Sequence, residues 1–283
     1  MIKVLHPGFF SSIQDLGRKH YQHLGVPFSG AMDAYASKIA NVILGNDENC
    51  AVMEITMLGP KLAFDCDTVI SVTGANLSPS INGVIVGSYS AINVNKGDIL
   101  SFGKPIKGFR SYLAVSGGFE TQIKMGSRSM YKDITLTLSI KKGDELEICS
   151  KNHTSKKYSS IKFNIDYLSS EVISTYKGPE FESLNVKQID ILFNKEFTIS
   201  KENNRMAYQL EEILKNDLDE MITSLVLPGT IQLTPFGKLI ILMRDCQTTG
   251  GYPRILQLSE SSINVLAQKK VGDKIVFKIK DYN

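Results

Sequence analysis

At 283 residues, with 42% hydrophobic and 22% charged side chains, the chain has an ordinary globular composition and room for two domains of roughly 150 residues each. Its net charge of +3, with lysines scattered rather than striped, leaves no electrostatic footprint for nucleic acid, and no apolar run has the length of a signal peptide or a membrane span. Four cysteines, Cys50, Cys66, Cys149 and Cys246, show neither a CxxC pair nor zinc-like spacing. They read as small buried hydrophobes in a reducing compartment, so the expected location is the cytoplasm and the two Asn-x-Ser/Thr sequons are chance matches.

Along the chain, the first polar, glycine-broken segment is Gln14-Asp15-Leu16-Gly17-Arg18. A helix is predicted over Ala31 to Leu44, with Ser29 as its N-cap, Asp33 in the first turn and Gly45 beyond its end. Short β-rich runs follow at Val69-Ile70-Ser71-Val72, Ile81 to Val86, Tyr112-Leu113-Ala114-Val115, Ile231-Gln232-Leu233 and Leu239 to Met243. A Gly-Asp turn feeding an alternating strand recurs at Gly97-Asp98, Gly143-Asp144 and Gly272-Asp273, which is fold grammar rather than chemistry. Ser150 to Ser160 is polar and rich in serine and lysine, and reads as a linker dividing the chain into 1–155 and 156–283. Two more helices are predicted: Asn204 to Asn216, with Met206, Leu210, Ile213 and Leu214 on one face, and Glu260 to Lys269, following Ser259. The fold class is mainly β with a few helices: two closed or nearly closed β structures with a cleft between them.

The chain has no GxxxxGK[ST] loop, HExxH, GxSxG elbow or GxGxxG opening a βα unit. No metal site is expected, because His20 and His23 sit among aromatics and glycine, while His6 and His153 stand alone. What remains is polar loops. Asp245-Cys246-Gln247-Thr248-Thr249-Gly250-Gly251-Tyr252-Pro253-Arg254 mirrors the first segment, with acid, amide, arginine and glycine in a few residues. Gly250-Gly251 can let backbone N–H groups approach an anion, and Arg18, Arg244 or Arg254 can clamp a carboxylate or phosphate; a plain tight turn with one structural arginine serves as well. Ser29 leads into a helix N-terminus, which adds an anion-binding option to capping. Gly126-Ser127-Arg128-Ser129 is a small cradle with a central arginine, or an exposed turn. Arg205, at a helix start, reads as a surface charge. Glu54, an acid among apolar neighbours, is either a strand-edge carboxylate or a buried acid available for proton transfer.

Taken in order, these strings resemble the biotin-dependent carboxyltransferase-like, or allophanate hydrolase subunit 2, family. The resemblance is carried by Gln14 to Arg18, Gly25-Val26-Pro27, Ser29 to Asp33, Ala40-Asn41, Leu44-Gly45-Asn46, Glu54 and Gly59-Pro60. It continues with Thr73-Gly74-Ala75, Tyr112 to Gly118, Gly126 to Ser129, Arg205-Met206, Gln247 to Arg254 and Leu266-Ala267-Gln268. Departures from the family's pattern are Met130, Ala207, Gln209 and Ser261. The resemblance implies two cyclophilin-like β-barrel domains and a partner of the allophanate hydrolase subunit 1 (KipI, PxpB) type.

With that partner and a third protein of the LamB/YcsF (PxpA) type, the resemblance implies an ATP-dependent 5-oxoprolinase that opens 5-oxo-L-proline to L-glutamate. ATP would be bound with the partner subunits, and biotin is not expected on this chain, which lacks a biotinyl acceptor motif. A stable lactam needs carbonyl activation, arginines and N–H groups for anions, and an acid or base near the ring nitrogen. Asp15, Glu54 and Asp245 are the candidates for the last role. Gln14, Arg18, Ser29, Arg128, Gln247, Thr248, Thr249, Gly250, Gly251, Tyr252 and Arg254 are the candidates for substrate binding. Two alternatives stand beside this reading: half of a split biotin-dependent urea carboxyltransferase, and a non-catalytic regulator that binds a KipI-type kinase inhibitor.

Overall fold

A computed structural model describes residues 1–149, 162–219 and 221–281; the linker reading and His153 lie outside the described residues. The chain forms two compact units, Met1–Arg18 with Asp33–Ser169, and Lys19–Met32 with Ser170–Asn283. Lys19–Met32 thus belongs with the later sequence, whereas a division at 155 assigns it to the earlier.

The first unit runs through β1 (Ile2–His6), β2 (Phe10–Gln14), α1 (Ala34–Leu44), β3 (Val52–Thr56), β4 (Lys61–Phe64) and β5 (Thr68–Asn76). It continues with β6 (Pro79–Ile81), β7 (Val84–Ile85), β8 (Ile92–Val94), β9 (Ile99–Phe102), β10 (Lys107–Val115) and β11 (Glu145–Leu146). The strands form a six-stranded sheet, β11-β1-β4-β9-β6-β7, and a five-stranded sheet, β2-β3-β10-β5-β8. One apolar core joins them: Ile2, Val4, Leu62, Phe64 and Leu100 from the first, Ile13, Met53, Ile55, Ile70, Val72, Leu113 and Val115 from the second.

Side chains alternate faces along a strand, so the residues between these core positions point the other way, toward α1. There Ser71 Oγ donates to Ala40 O (2.6 Å) and Thr73 Oγ1 to Ala36 O (2.7 Å). Glu54 and Tyr112 are register partners on that same face. Asp33, not Ser29, caps α1, accepting from Ala36 N at 2.9 Å, and the helix starts three residues later than the pattern predicts. Asp33 supplies the same capping chemistry closer to the apolar run. Gly45 closes the helix in the left-handed conformation (φ 67°), as its position predicts.

The second unit comprises β12 (Val172–Lys177), α2 (Val186–Asn194), β13 (Phe197–Asn203), β14 (Ala207–Ile213), β15 (Ser224–Leu225), β16 (Thr230–Leu233), β17 (Lys238–Leu242), β18 (Thr249–Gly250), β19 (Arg254–Leu258), α3 (Glu260–Ala267) and β20 (Lys274–Ile279). Seven strands close a barrel in the order β12-β19-β16-β17-β14-β13-β20, and β15 pairs with β18 as a separate ribbon. The expectation of a mainly β chain with few helices holds, as does the helix after Ser259, whose hydroxyl oxygen accepts from Ser262 N.

The helix predicted over Asn204 to Asn216 is instead the turn and second strand of the β13–β14 hairpin. Asn204 Oδ1 accepts from Met206 N (2.7 Å) and Ala207 N (3.1 Å), which makes a turn. Beyond it Tyr208, Leu210 and Leu214 are buried at period two. Positions 206, 210 and 214 satisfy both the helical and the strand period, which is why the pattern misleads. The three Gly-Asp turns share one geometry: Asp98, Asp144 and Asp273 each accept from the backbone N–H three residues earlier, at 2.8, 2.7 and 3.0 Å. Among the described residues no helix is long and apolar enough to cross a membrane.

A Cβ added at Gly178 would lie 2.1 Å from Arg254 O, so this glycine marks a close approach of two backbones. Gly178→Ala is expected to lower the unfolding free energy by about 1–3 kcal/mol, read as a lower urea midpoint at unchanged slope.

Candidate functional site

In the first unit, Asp15 leaves the end of β2 and is 4% exposed. Its Oδ1 accepts from Gly17 N (2.8 Å), Ser127 Oγ (2.7 Å) and Ser129 Oγ (2.6 Å), and its Oδ2 accepts from Arg128 N (2.7 Å). Asp15 N donates back to Ser129 Oγ at 3.1 Å. Arg18 is fully buried and donates to the carbonyls of Lys124 and Ser129. Gln14 Nε2 donates to Ser12 Oγ (2.9 Å) and to Met130 O (3.2 Å). The polar strings Gln14–Arg18 and Gly126–Ser129 are therefore one construction, with the acid inside and the serines folded around it.

This construction forms one wall of a cleft of about 260 Å³. Asp15, Gly126 and Arg128 line one side, Asp47, Asn49, Cys50 and Ala51 another, and Gly117, Phe119, Glu120 and Ile123 a third. The last two walls are clipped together by Asn46. Its Nδ2 donates to Asn41 Oδ1 (3.0 Å) and Val115 O (2.8 Å), and its Oδ1 accepts from Gly117 N (2.8 Å). Buried Asn41, on α1, donates to Cys50 O at 2.8 Å. Arg128 Nη1 donates to Thr121 O. The sequence pattern singles out Asp15 and Arg128 but not Asp47 or Glu120, although both follow glycine-containing strings, Leu44-Gly45-Asn46 and Gly117-Gly118.

Glu54 is fully buried beneath α1. It accepts from Tyr112 Oη (2.8 Å) and faces Arg110 Nε (3.8 Å), while Tyr112 Oη accepts from Asp33 N (2.8 Å) and Tyr167 Oη donates to Asp33 Oδ2 (2.7 Å). Burial first, and the neighbouring Glu54 charge second, push the Tyr112 phenol well above its ordinary value. This is a buried polar network under the helix, hydrogen-bonded through Tyr112 and Asp33 and ion-paired at Arg110.

In the second unit, Ser29 is buried in the left-handed conformation (φ 56°), and its N–H donates to Arg244 O at 2.8 Å. Arg205 is no surface charge: it is 7% exposed and pairs with Asp245 through Nε (2.8 Å) and Nη2 (3.1 Å), with Nη2 also reaching Gly30 O (2.7 Å). Arg254 is engaged as fully, by Glu180 through Nε (3.0 Å) and Nη2 (2.8 Å) and by Leu225 O through Nη1 (2.8 Å). No sequence pattern points to Glu180, which lies 74 residues upstream. Gln247, Thr248 and Tyr252 are half-buried around β18, and Thr249 is exposed. Gly250 lies in the β15–β18 ribbon, where an added Cβ would sit 2.5 Å from Gln232 Nε2. The close approach that glycine permits there is to the chain's own glutamine.

Cys246 is buried, and burial pushes its thiol up to about 12; Cys50, Cys66 and Cys149 are only half-buried, so the reading of four buried cysteines holds for one. No group of three or more His, Cys, Asp and Glu side chains among the described residues is arranged to hold a metal.

Asp15→Asn turns an amide N–H₂ toward at least one donor that the carboxylate accepts. It is expected to cost about 1–3 kcal/mol of unfolding free energy in urea titration. A second expectation concerns pH. The Arg254 hydrogen bond holds the Glu180 carboxyl below its ordinary 4.5, so the pair's stabilisation is present at neutral pH and lost as pH falls through the depressed value. The stability gap between wild type and Glu180→Gln, followed by urea midpoints, should be constant near neutrality and shrink below about pH 4.5.

The family model for the carboxyltransferase domain, subdomain A and B, matches residues 24–279. The chain is 33% identical to a 5-oxoprolinase subunit of Escherichia coli strain K12, over 98% of this chain and 90% of that protein. It is 29% identical to urea amidolyase of Saccharomyces cerevisiae, over 98% of this chain and 16% of that protein. The crystal structure of Kluyveromyces lactis urea carboxylase superposes with a TM-score of 0.85 at 29% identity, over 98% of this chain and 27% of that one. That of TTHA0988 superposes with a TM-score of 0.87 at 24% identity, covering 98% of this chain, which spans 55% of the TTHA0988 chain. By the extent of the model match and the identity to relatives along nearly its whole length, this chain belongs to the family of the carboxyltransferase domain, subdomain A and B.

Proposed function

We propose that the chain is a subunit of an ATP-dependent 5-oxoprolinase that opens 5-oxo-L-proline to L-glutamate, working with subunits of the KipI (PxpB) and LamB/YcsF (PxpA) types. The observation that carries this reading is the 33% identity to the Escherichia coli 5-oxoprolinase subunit across 98% of one chain and 90% of the other. We place the assembly in the reducing cytoplasm, where four free thiols persist.

The arginines among the described residues offer ATP no cluster of unopposed cations. A polyphosphate needs several unopposed cations or a cradle of N–H groups. Here Arg110, Arg205, Arg244 and Arg254 each face a carboxylate, and in the cleft Asp15, Asp47 and Glu120 outnumber Arg128. We therefore assign the nucleotide to the partner subunits. This chain's part is to bind and orient the small substrate, and preorganised walls such as those clipped by Asn46 serve that role.

The test is reconstitution. The chain, copurified with its KipI-type and LamB/YcsF-type partners, is assayed for glutamate released from 5-oxo-L-proline. Release that needs both ATP and this chain is the expected result. A stable three-protein complex that releases none would overturn the reading and direct attention to carboxyl transfer onto urea.

A further inference from the structure

We propose that the Asp15–Arg128 cleft binds a small cyclic amide bearing one carboxylate, with the carboxylate on Arg128 and the ring N–H facing Asp47 or Glu120, and that it disfavours dicarboxylates. The identification of that amide as 5-oxo-L-proline rests on the 5-oxoprolinase reading; the charge preference of the cleft does not.

The guanidinium accounting points to Arg128. Four of the six arginines face carboxylates, and Arg18 is buried against two carbonyls. Arg128 lines the cleft, and its side chain makes one hydrogen bond among the described residues, from Nη1 to Thr121 O. That bond fixes the direction of the guanidinium and leaves Nε and Nη2 as a fork for a carboxylate. Asp15 does not compete for it. Its carboxylate is taken by two hydroxyls and two backbone N–H groups, one of them Arg128's own.

The rest of the wall sets the remainder of the ligand. Asp47 and Glu120 are exposed carboxylates at the cleft, acceptors only when ionised, so they suit a ligand N–H and repel a second anion. Ile123, exposed at the cleft, offers apolar surface for ring methylenes. A volume of about 260 Å³ lies below the range of roughly 300–1,000 Å³ typical of drug-sized ligands, which leaves room for a molecule the size of a single amino acid. Hydrolysis of the ring amide consumes one water and leaves a second carboxylate together with an ammonium, so these acids repel the one and attract the other, and their selection falls on dicarboxylates that lack the amine.

The experiment is calorimetric titration of the full chain and of the three-protein complex without nucleotide, using 5-oxo-L-proline, glutarate and cyclopentanecarboxylate. Saturable binding of 5-oxo-L-proline at least tenfold tighter than that of the other two is expected. Arg128→Gln should weaken it at least tenfold, and Asp47→Asn combined with Glu120→Gln should narrow the preference over glutarate. Near-ultraviolet circular dichroism verifies that each variant is folded. Absence of saturable binding to chain and complex, equal affinity for glutarate, or an unchanged Arg128→Gln would each overturn the proposal. Failures of the two readings separate. Turnover by a complex carrying Arg128→Gln at wild-type KM sinks the cleft assignment and leaves the 5-oxoprolinase reading standing. Selective binding by a complex that never releases glutamate does the reverse.

Discussion

An ionised carboxylate taken out of water must be answered by donors, and Asp15 is the place where that requirement organises the most chain. Four N–H and O–H groups from Gly17, Ser127, Arg128 and Ser129 converge on two oxygens. Three of the four come from a loop more than one hundred residues later in the sequence, so one charge holds that loop against the end of β2. Arg18 grips the same loop through its carbonyls. An acid accepts N–H groups, an arginine donates to C=O groups, and together they satisfy both kinds of backbone polarity in a segment that has little regular secondary structure.

The same rule decides which arginines remain available to a ligand. Glycine-rich strings with an arginine look alike in sequence whether the guanidinium awaits an anion or has already met one. Arg254 closes the Gly250-Gly251 string, yet its Nε and Nη2 are occupied by Glu180. Arg205 is held by Asp245, which removes both from the open chemistry that their neighbours imply. Removing one partner of the buried Arg205–Asp245 pair leaves an uncompensated charge, so substitutions at Arg205 test folding before they test binding. Arg128 is set apart by accounting rather than by motif.

Legibility follows the range of the interaction. The strands, the three Gly-Asp turns, the stop at Gly45 and the start at Ser259 are local, and the sequence displays them. The start of α1 is ambiguous in the sequence because Ser29 and Asp33 are both competent caps, and only tertiary packing, through Tyr112 to Asp33 N, selects the second. The false helix at Asn204 arises because Leu210 and Leu214, four apart, are also an even number of positions from Tyr208 and buried with it. At the site, Asp15 and Arg128 are legible because their strings are compact. Asp47, Glu120 and Glu180 are not, because each gains meaning only from a partner or wall remote in sequence. Glu54 is legible as an acid among apolar residues, though not that a tyrosine and an arginine on the neighbouring strand face it.

The buried network and the cleft occupy opposite ends of α1, which gives that helix a mechanical role. At its start, Asp33 is fixed by Tyr112 and Tyr167, with Glu54 and Arg110 behind them. At its end, Asn41 holds the carbonyl of Cys50, and Asn46 ties the exit loop to the end of β10. This buried polar network anchors the element from which two cleft walls are suspended. Rigid support of that kind matters most for a site that must distinguish a lactam from its ring-opened product. The two carry the same net charge and differ by a ring amide exchanged for a carboxylate and an ammonium a few ångströms apart, so a wall free to drift by that distance would accept both.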